Sequence, residues 1–309
     1  MADTAFSPAL LHPRHWPTWA GVGCVWLLSW LPIPLQAMLG AVLGRGIGRL
    51  LRGRREVVRT NLRIAFPQAA EREIERMTSA HFADMGRGVF ETALAWFAPD
   101  WRLRRRGEVT GIAHLKAAMA DGSGVLLLTG HFTTLELGAR FLCLAGVRFH
   151  AMYRPYNNAV MDYLMHRWRE NRSGLPALPR DDVRSLVRAL RGGRPIWYAP
   201  DQALKENVSV YAPFFGVPVR TVSATARLAQ MGRAKVVPYF PERRGNRYHV
   251  RILPALEGFP QGDEVLDATR INGVIEQGIA FAPTQYFWVH KRYKGLPPGV
   301  PPVYGRQRR

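Results

Sequence analysis

Between Gly111 and Phe281, short apolar runs alternate with longer stretches of helical periodicity, and this alternation leaves few ways to fold. Residues 125–129, 148–153, 195–199, 235–240 and 247–253 read as strands. Residues 111–120, 133–145, 158–171, 182–192, 223–232 and 266–281 read as helices. Val125 to Leu128 is apolar at every position, as expected of a strand with helices packed on both faces. The expected class is therefore α/β, with a largely parallel or mixed central sheet covered by helices. Residues 69–97 read as a further helix, with Ile74, Met77, His81, Phe82 and Met85 spaced for one face and Pro99 just beyond its end.

Ahead of this body, no Asp, Glu, Lys or Arg occurs from Trp16 to Gly44. A bilayer takes about 20 apolar residues to cross, but Pro32 and Pro34 interrupt the stretch. It reads either as one kinked transmembrane helix or as a helix lying in the membrane interface. A cleaved signal peptide is disfavoured, because the basic residues follow the apolar stretch instead of preceding it. Arg45, Arg49, Arg52, Arg54, Arg55, Arg59 and Arg63 form that cluster. Such a cluster keeps the following domain on the cytoplasmic side and attracts anionic lipid. Three segments follow: an anchor over 1–44, a catalytic body over 45–296, and a Pro-, Gly- and Arg-rich tail over 297–309, expected to be extended or disordered.

The chain carries 43 basic against 23 acidic residues, a net charge of +20, and arginine supplies most of it. That suits anionic headgroups or an acidic protein partner. Nucleic acid is not expected, since no helix-turn-helix, zinc or RNA-binding signature accompanies the charge. Two cysteines, Cys24 and Cys143, allow no disulfide or metal framework.

The strand at 125–129 runs into Thr129-Gly130-His131, and Glu136 follows five residues on. A histidine at a strand-to-helix turn sits on the rim where α/β sheets bind ligands. Inside one helix the two residues would lie roughly 140° apart. If His131 precedes the helix, Glu136 can hold one imidazole nitrogen and leave the other free to take a proton from a hydroxyl. No Ser or Cys stands as a nucleophile here, so the arrangement suggests direct activation of an alcohol. A helix-capping histidine beside a solvated glutamate is the structural alternative. Arg154, after the second strand, offers a fixed, charged fork for phosphate or a polarised carbonyl. Asn158 is placed to cap the next helix. Asp201 and Gln202 occupy the same kind of rim position after the third strand; Asp201 can orient Arg154, bind a sugar hydroxyl or cap a turn. His290 is a rival base without a local carboxylate. Residues 212–218, apolar and turn-rich, suit either an acyl slot or a core-packed loop.

Phe6 to Trp16, Asn61-Leu62-Arg63, Phe66-Pro67-Gln68, Glu91 to Phe97, His131 to Gly138, Tyr153 to Asn158, Trp197 to Gln202, Ala212 to Phe215 and Gln285 to Lys294 succeed one another in a specific order and spacing. In these blocks the chain resembles the lipid A late acyltransferases, the lauroyl/myristoyl acyltransferase family of Gram-negative bacteria. The resemblance implies a glycerolipid-acyltransferase-like fold and an inner-membrane enzyme. It implies transfer of a fatty acyl chain, lauroyl being the expected one, from acyl-acyl carrier protein. The acceptor would be the 3-hydroxyl of an acyl chain on a Kdo-lipid IVA type precursor. His131 would be the base and Glu136 its orienting partner in an HX4E motif. Arg154, with backbone N–H groups at the helix start, would stabilise the anion. Asp201, Arg169, Arg172 and Arg180 would stand on the substrate side, and no metal or organic cofactor is implied. Two positions depart from the family pattern: Ala203, where a second acidic residue is usual, and Gly174, where Asn is usual. The alternatives are the same transfer to another glycolipid or phospholipid, hydrolysis of a thioester or ester, and a non-catalytic lipid-binding membrane protein.

Overall fold

A computed structural model describes residues 6–202 and 209–305, so Ala203 lies outside the described residues. The strands are β1 (Gly107–Thr110), β2 (Val125–Leu128), β3 (His150–Tyr153), β4 (Leu178–Pro179), β5 (Pro195–Tyr198), β6 (Ser209–Phe214), β7 (Val217–Val222), β8 (Lys235–Arg244) and β9 (Arg247–Ile252). The helices are α1 (Trp16–Ser29), α2 (Ile33–Leu50), α3 (Arg52–Ala65), α4 (Glu71–Phe97), α5 (Asp100–Leu103), α6 (Ile112–Met119), α7 (Leu135–Leu144), α8 (Ala159–Ser173), α9 (Val183–Arg191), α10 (Ala224–Gly232) and α11 (Glu264–Phe281).

The central sheet has the order β1-β9-β8-β2-β5-β3-β4. Every pairing in it is parallel except the β8–β9 hairpin. It is the expected mixed α/β sheet, and β2 lies at its middle. Leu126 and Leu128 enter one core cluster with Ile196, Tyr198 and Val236. Val125 and Leu127 enter the other with Trp197, Val237 and Tyr239. Successive side chains of a strand point to opposite faces, so the unbroken apolar run serves two cores at once.

Capping residues set several helix boundaries. Asn158 accepts from the Met161 N–H at 3.1 Å and starts α8, as its position suggested. Asp263 accepts from the N–H groups of Val265 and Leu266, and so begins α11 two residues before the periodicity does. Gly174 closes α8 at φ +69°. Asn is the other residue that tolerates this left-handed cap, so this departure from the family pattern has a structural reading and requires no lost headgroup contact.

Four strands escape the periodicity. β1 and β4 are short edge strands, while β6 and β7 form a hairpin in which Pro213 faces Pro218. Proline is tolerated in such exposed pairings but weakens the strand signal. Phe215 at φ +48° and Gly216 at φ +75° make its two-residue turn. Phe214 is fully buried in the core cluster with Tyr286 and Tyr293, so residues 212–218 are a core-packed hairpin and do not form a slot. The described part of the tail is irregular but anchored. The Tyr304 hydroxyl donates to Asn61 Oδ1 at 2.5 Å and accepts from the Tyr293 N–H at 3.0 Å.

The N-terminal expectation needs correction. The charge-free stretch breaks at Trp30–Pro32 into α1 and α2, and no helix among the described residues is long and apolar enough to cross a membrane. The break is held from inside. Arg102 donates to the carbonyls of Ser29 and Leu31, and Gln36 donates to the same two at 2.9 and 2.7 Å. α2 then lies tightly along α4. A Cβ on Gly44 would stand 2.0 Å from the Phe82 carbonyl oxygen, and one on Gly86 would stand 1.9 Å from that of Gly40. The pair also exposes Trp16, Trp26, Leu27, Trp30, Val42 and Leu43.

Candidate active site

β2 and β5 are adjacent and parallel, so both chains leave the sheet at its carboxyl edge. The Thr129 N–H still donates to the Tyr198 carbonyl at 2.9 Å, which extends the register one step past the strands. His131 then comes three residues after Leu128, and Asp201 three residues after Tyr198. Equal offsets from neighbouring strand ends bring the two side chains together. The His131 backbone N–H donates to Asp201 Oδ2 at 2.8 Å, and His131 Nδ1 meets Asp201 Oδ1 at 2.5 Å. The Tyr286 hydroxyl also donates to Asp201. The same segment ties down the loop: Phe287 N–H donates to the His131 carbonyl at 2.8 Å, and Thr133 N–H to that of Gln285 at 2.7 Å.

Asp201 is buried, which disfavours its charge, but the imidazole and three hydrogen bonds outweigh that and lower its pKa to about 2. It is therefore ionised, accepts only, and puts the proton on His131 Nδ1. Burial alone would lower the His131 pKa; the Asp201 charge and hydrogen bond overcome this and raise it above 6.5. Nε2 has no hydrogen-bond partner among the described residues, and the side chain keeps 33% of its surface exposed. The site is thus a tautomer-fixed imidazole with its second nitrogen open.

Glu136 is not the partner of that imidazole. Thr134 immediately precedes α7, Glu136 stands in its first turn, and the Phe132–Tyr286 bridge holds the His131 loop outside the helix. The Glu136 carboxylate instead accepts from Arg169 Nη2 of α8. Arg169 lies over the Trp197 ring, 5.3 Å from its centre, and its charge opposes protonation of His131. The pair lines a narrow cleft of about 30 Å³ between α4, α7, α8 and the sheet. Ala95, Ala139, Cys143, Phe149, Ala151 and Trp168 give the cleft apolar walls.

The remaining arginines separate by environment. Arg154 is exposed after β3, on the far side of β5 from β2, and Asp201 is engaged with His131 and not with it. Arg172 faces inward, donating to the Trp96 carbonyl at 2.7 Å, with Asp100 at 3.7 Å. Arg180 is 3.6 Å from exposed Asp181. His290 has its pKa lowered by burial and no carboxylate in hydrogen-bond contact among the described residues. Tyr286 and the pairing of Glu136 with Arg169 were missed by the sequence reading. The equal three-residue offsets of His131 and Asp201 were a usable signal for their pairing. Among the described residues, no three His, Cys, Asp or Glu side chains are grouped to hold a metal ion.

The bacterial lipid A biosynthesis acyltransferase family model matches residues 3–295. The lipid A biosynthesis lauroyltransferase of Escherichia coli (strain K12) is 40% identical over 302 residues, covering 97% of this chain and 98% of its own. The palmitoleoyltransferase of the same strain is 38% identical over the same shares, and its myristoyltransferase is 27% identical over 98% of this chain and 94% of its own. The similarity spans whole proteins, not one motif, and it makes this chain an acyltransferase that belongs to the bacterial lipid A biosynthesis acyltransferase family.

Proposed function

We propose that the protein transfers a fatty acyl chain, lauroyl in the first instance, from acyl-acyl carrier protein to the 3-hydroxyl of an acyl chain on a Kdo-lipid IVA type acceptor. The observation that carries the mechanism is the His131–Asp201 pair with Nε2 free at the sheet edge. In this reading Nε2 takes the hydroxyl proton while the alkoxide oxygen attacks the thioester carbonyl. Asp201 stabilises the imidazolium that forms. The tetrahedral intermediate then breaks its C–S bond, and Nε2–H returns the proton to the departing thiolate. Arg169 contributes positive field beside the reacting carbonyl, and Glu136 holds it there. The apolar side chains along that narrow cleft suit contact with methylenes of the acyl chain. Arg154, exposed at the rim, is assigned to an acceptor phosphate, while Arg172 and Arg180 support the fold at this edge.

The exposed tryptophans and leucines of α1 and α2 suit insertion into the membrane interface. The cluster that begins at Arg45 suits the cytoplasmic face of the inner membrane. Protease applied from the periplasmic side of sealed vesicles tests this, and digestion of the body from that side refutes it. The open Nε2 also suits activation of water, which would release free fatty acid. Purified protein supplied with acyl-acyl carrier protein, with and without the lipid acceptor, separates the two. Transfer requires the acceptor; His131→Ala removes it, with a loss of at least about a hundredfold, while the circular dichroism spectrum is kept. Wild-type turnover by folded His131→Ala protein rejects the mechanism.

A further inference from the structure

Away from the active-site cleft, a groove of about 640 Å³ lies between the last turns of α2 and the start of α4. Arg45 and Arg49 line it from α2, Arg55 from α3, and Arg72, Glu75 and Arg76 from α4. Arg55 is paired with Glu75, and Arg76 with Glu73. Among the described residues, Arg45, Arg49 and Arg72 have no carboxylate within salt-bridge distance. Three unpaired guanidiniums facing one groove repel each other, and a phosphate bearing several acceptor oxygens relieves that repulsion.

The surroundings of the groove bear on which phosphate would fit it. Met38, Val42, Arg45 and Arg49 follow one another at spacings of three and four, so they form a single stripe along α2. Its first two members are exposed and apolar, and its last two are basic. Leu43, Ile47 and Leu50, all exposed, form the neighbouring stripe. An arginine beside apolar side chains on one exposed helix face suits the boundary between acyl chains and headgroups. An acidic protein in water would match the charge but leave the apolar stripes uncovered.

We propose that this groove binds the phosphate of an anionic phospholipid headgroup and fixes the orientation of the enzyme on the bilayer. The proposal rests on the membrane-interface reading of α1 and α2. It is tested by flotation of the full-length protein with phosphatidylcholine vesicles and with vesicles one-third phosphatidylglycerol. The test variant is R45Q/R49Q/R72Q. The control is R184Q/R188Q/R194Q, which removes the same charge from exposed positions around α9. Wild type is expected to prefer phosphatidylglycerol. The groove variant should lose roughly a hundredfold in partitioning, near fivefold per arginine, and the control should keep wild-type binding. R45K/R49K/R72K should recover much of the loss, since lysine also binds phosphate as a point charge.

Equal binding by the groove variant and wild type overturns the site. An equal loss in the control also overturns it, by assigning the effect to general positive charge. Unchanged vesicle binding with weakened affinity for acyl-acyl carrier protein would give the groove to the protein donor instead. Wild type that floats with neither vesicle rejects the membrane-interface reading and the groove together. Transfer activity in detergent micelles, expected to be unaffected in the groove variant, tests the enzymatic reading separately.

Discussion

Asp201 and Glu136 are both carboxylates near the His131 loop, but their partners differ, and this predicts different failures. Asp201→Asn keeps the shape and loses the charge that fixes the His131 tautomer; a loss of about 10²–10⁴ in kcat is expected. A base must be neutral, so the wild-type rate falls as pH drops through the raised His131 pKa. Without the Asp201 charge that pKa falls, and the acid limb of the pH–rate profile moves to lower pH. A limb that stays put in Asp201→Asn and moves in Glu136→Gln would restore Glu136 as the orienting group. The pair also links stability to pH. The His131 share is complete below 6.5 and fades as pH rises through the folded value. The Asp201 share is present above 3.8 and fades as pH falls toward 2. Glu136→Gln leaves Arg169 inside the protein without its counter-charge, a change expected to cost about 3–5 kcal/mol in urea unfolding. Glu136→Gln combined with Arg169→Met should recover part of that stability without recovering activity. No recovery would show that the two side chains act independently.

At the scale of elements, a buried polar cluster ties α4 to the β8–β9 hairpin and to the segment that braces the His131 loop. Arg243 donates to Asp84 at 2.5 Å and to Glu91 at 2.7 Å; Thr284 donates to Asp84 at 2.6 Å, and Tyr248 to Glu91 at 3.2 Å. Gln285 is joined to the Arg243 backbone by two hydrogen bonds. Burial raises the Glu91 pKa to about 7, even with Arg243 beside it. Arg243→Met should therefore destabilise the protein by about 3–5 kcal/mol at pH 8. The penalty should shrink as pH falls through 7, because a protonated Glu91 no longer needs a counter-charge. Thermal unfolding across a pH series reads this directly; a penalty independent of pH would mean that Glu91 is not the charge left behind.

At the scale of the whole molecule, the α1–α2 pair exposes an apolar face that a protein surrounded by water rarely presents. Trp101 of α5 is exposed as well, and the neighbouring Arg102 clamps the α1–α2 turn. Adding vesicles should shift the tryptophan emission to shorter wavelength. Trp26→Ala/Trp30→Ala should weaken vesicle partitioning about tenfold, through the loss of roughly 1.5 kcal/mol of apolar burial. Unchanged emission and partitioning would show that this face meets something other than lipid.

The sequence by itself determined the α/β class and the core strands, because an apolar run between helical stretches has one stable place, in the middle of a covered sheet. It also determined that His131 and Asp201 reach the same rim, since each follows a strand directly. Tertiary structure alone decided the partners. The sheet order puts β5 beside β2 and β3 one place further out, so Asp201 meets His131 and Arg154 does not. Packing of α8 on α7 turns Glu136 toward Arg169, which lies far from it in sequence. A charge-free stretch specifies that side chains avoid water, but not which surface receives them. Contact of Gly40 and Gly44 with α4, and the clamp from Arg102, fold that stretch into two helices, neither of them long and apolar enough to span a bilayer.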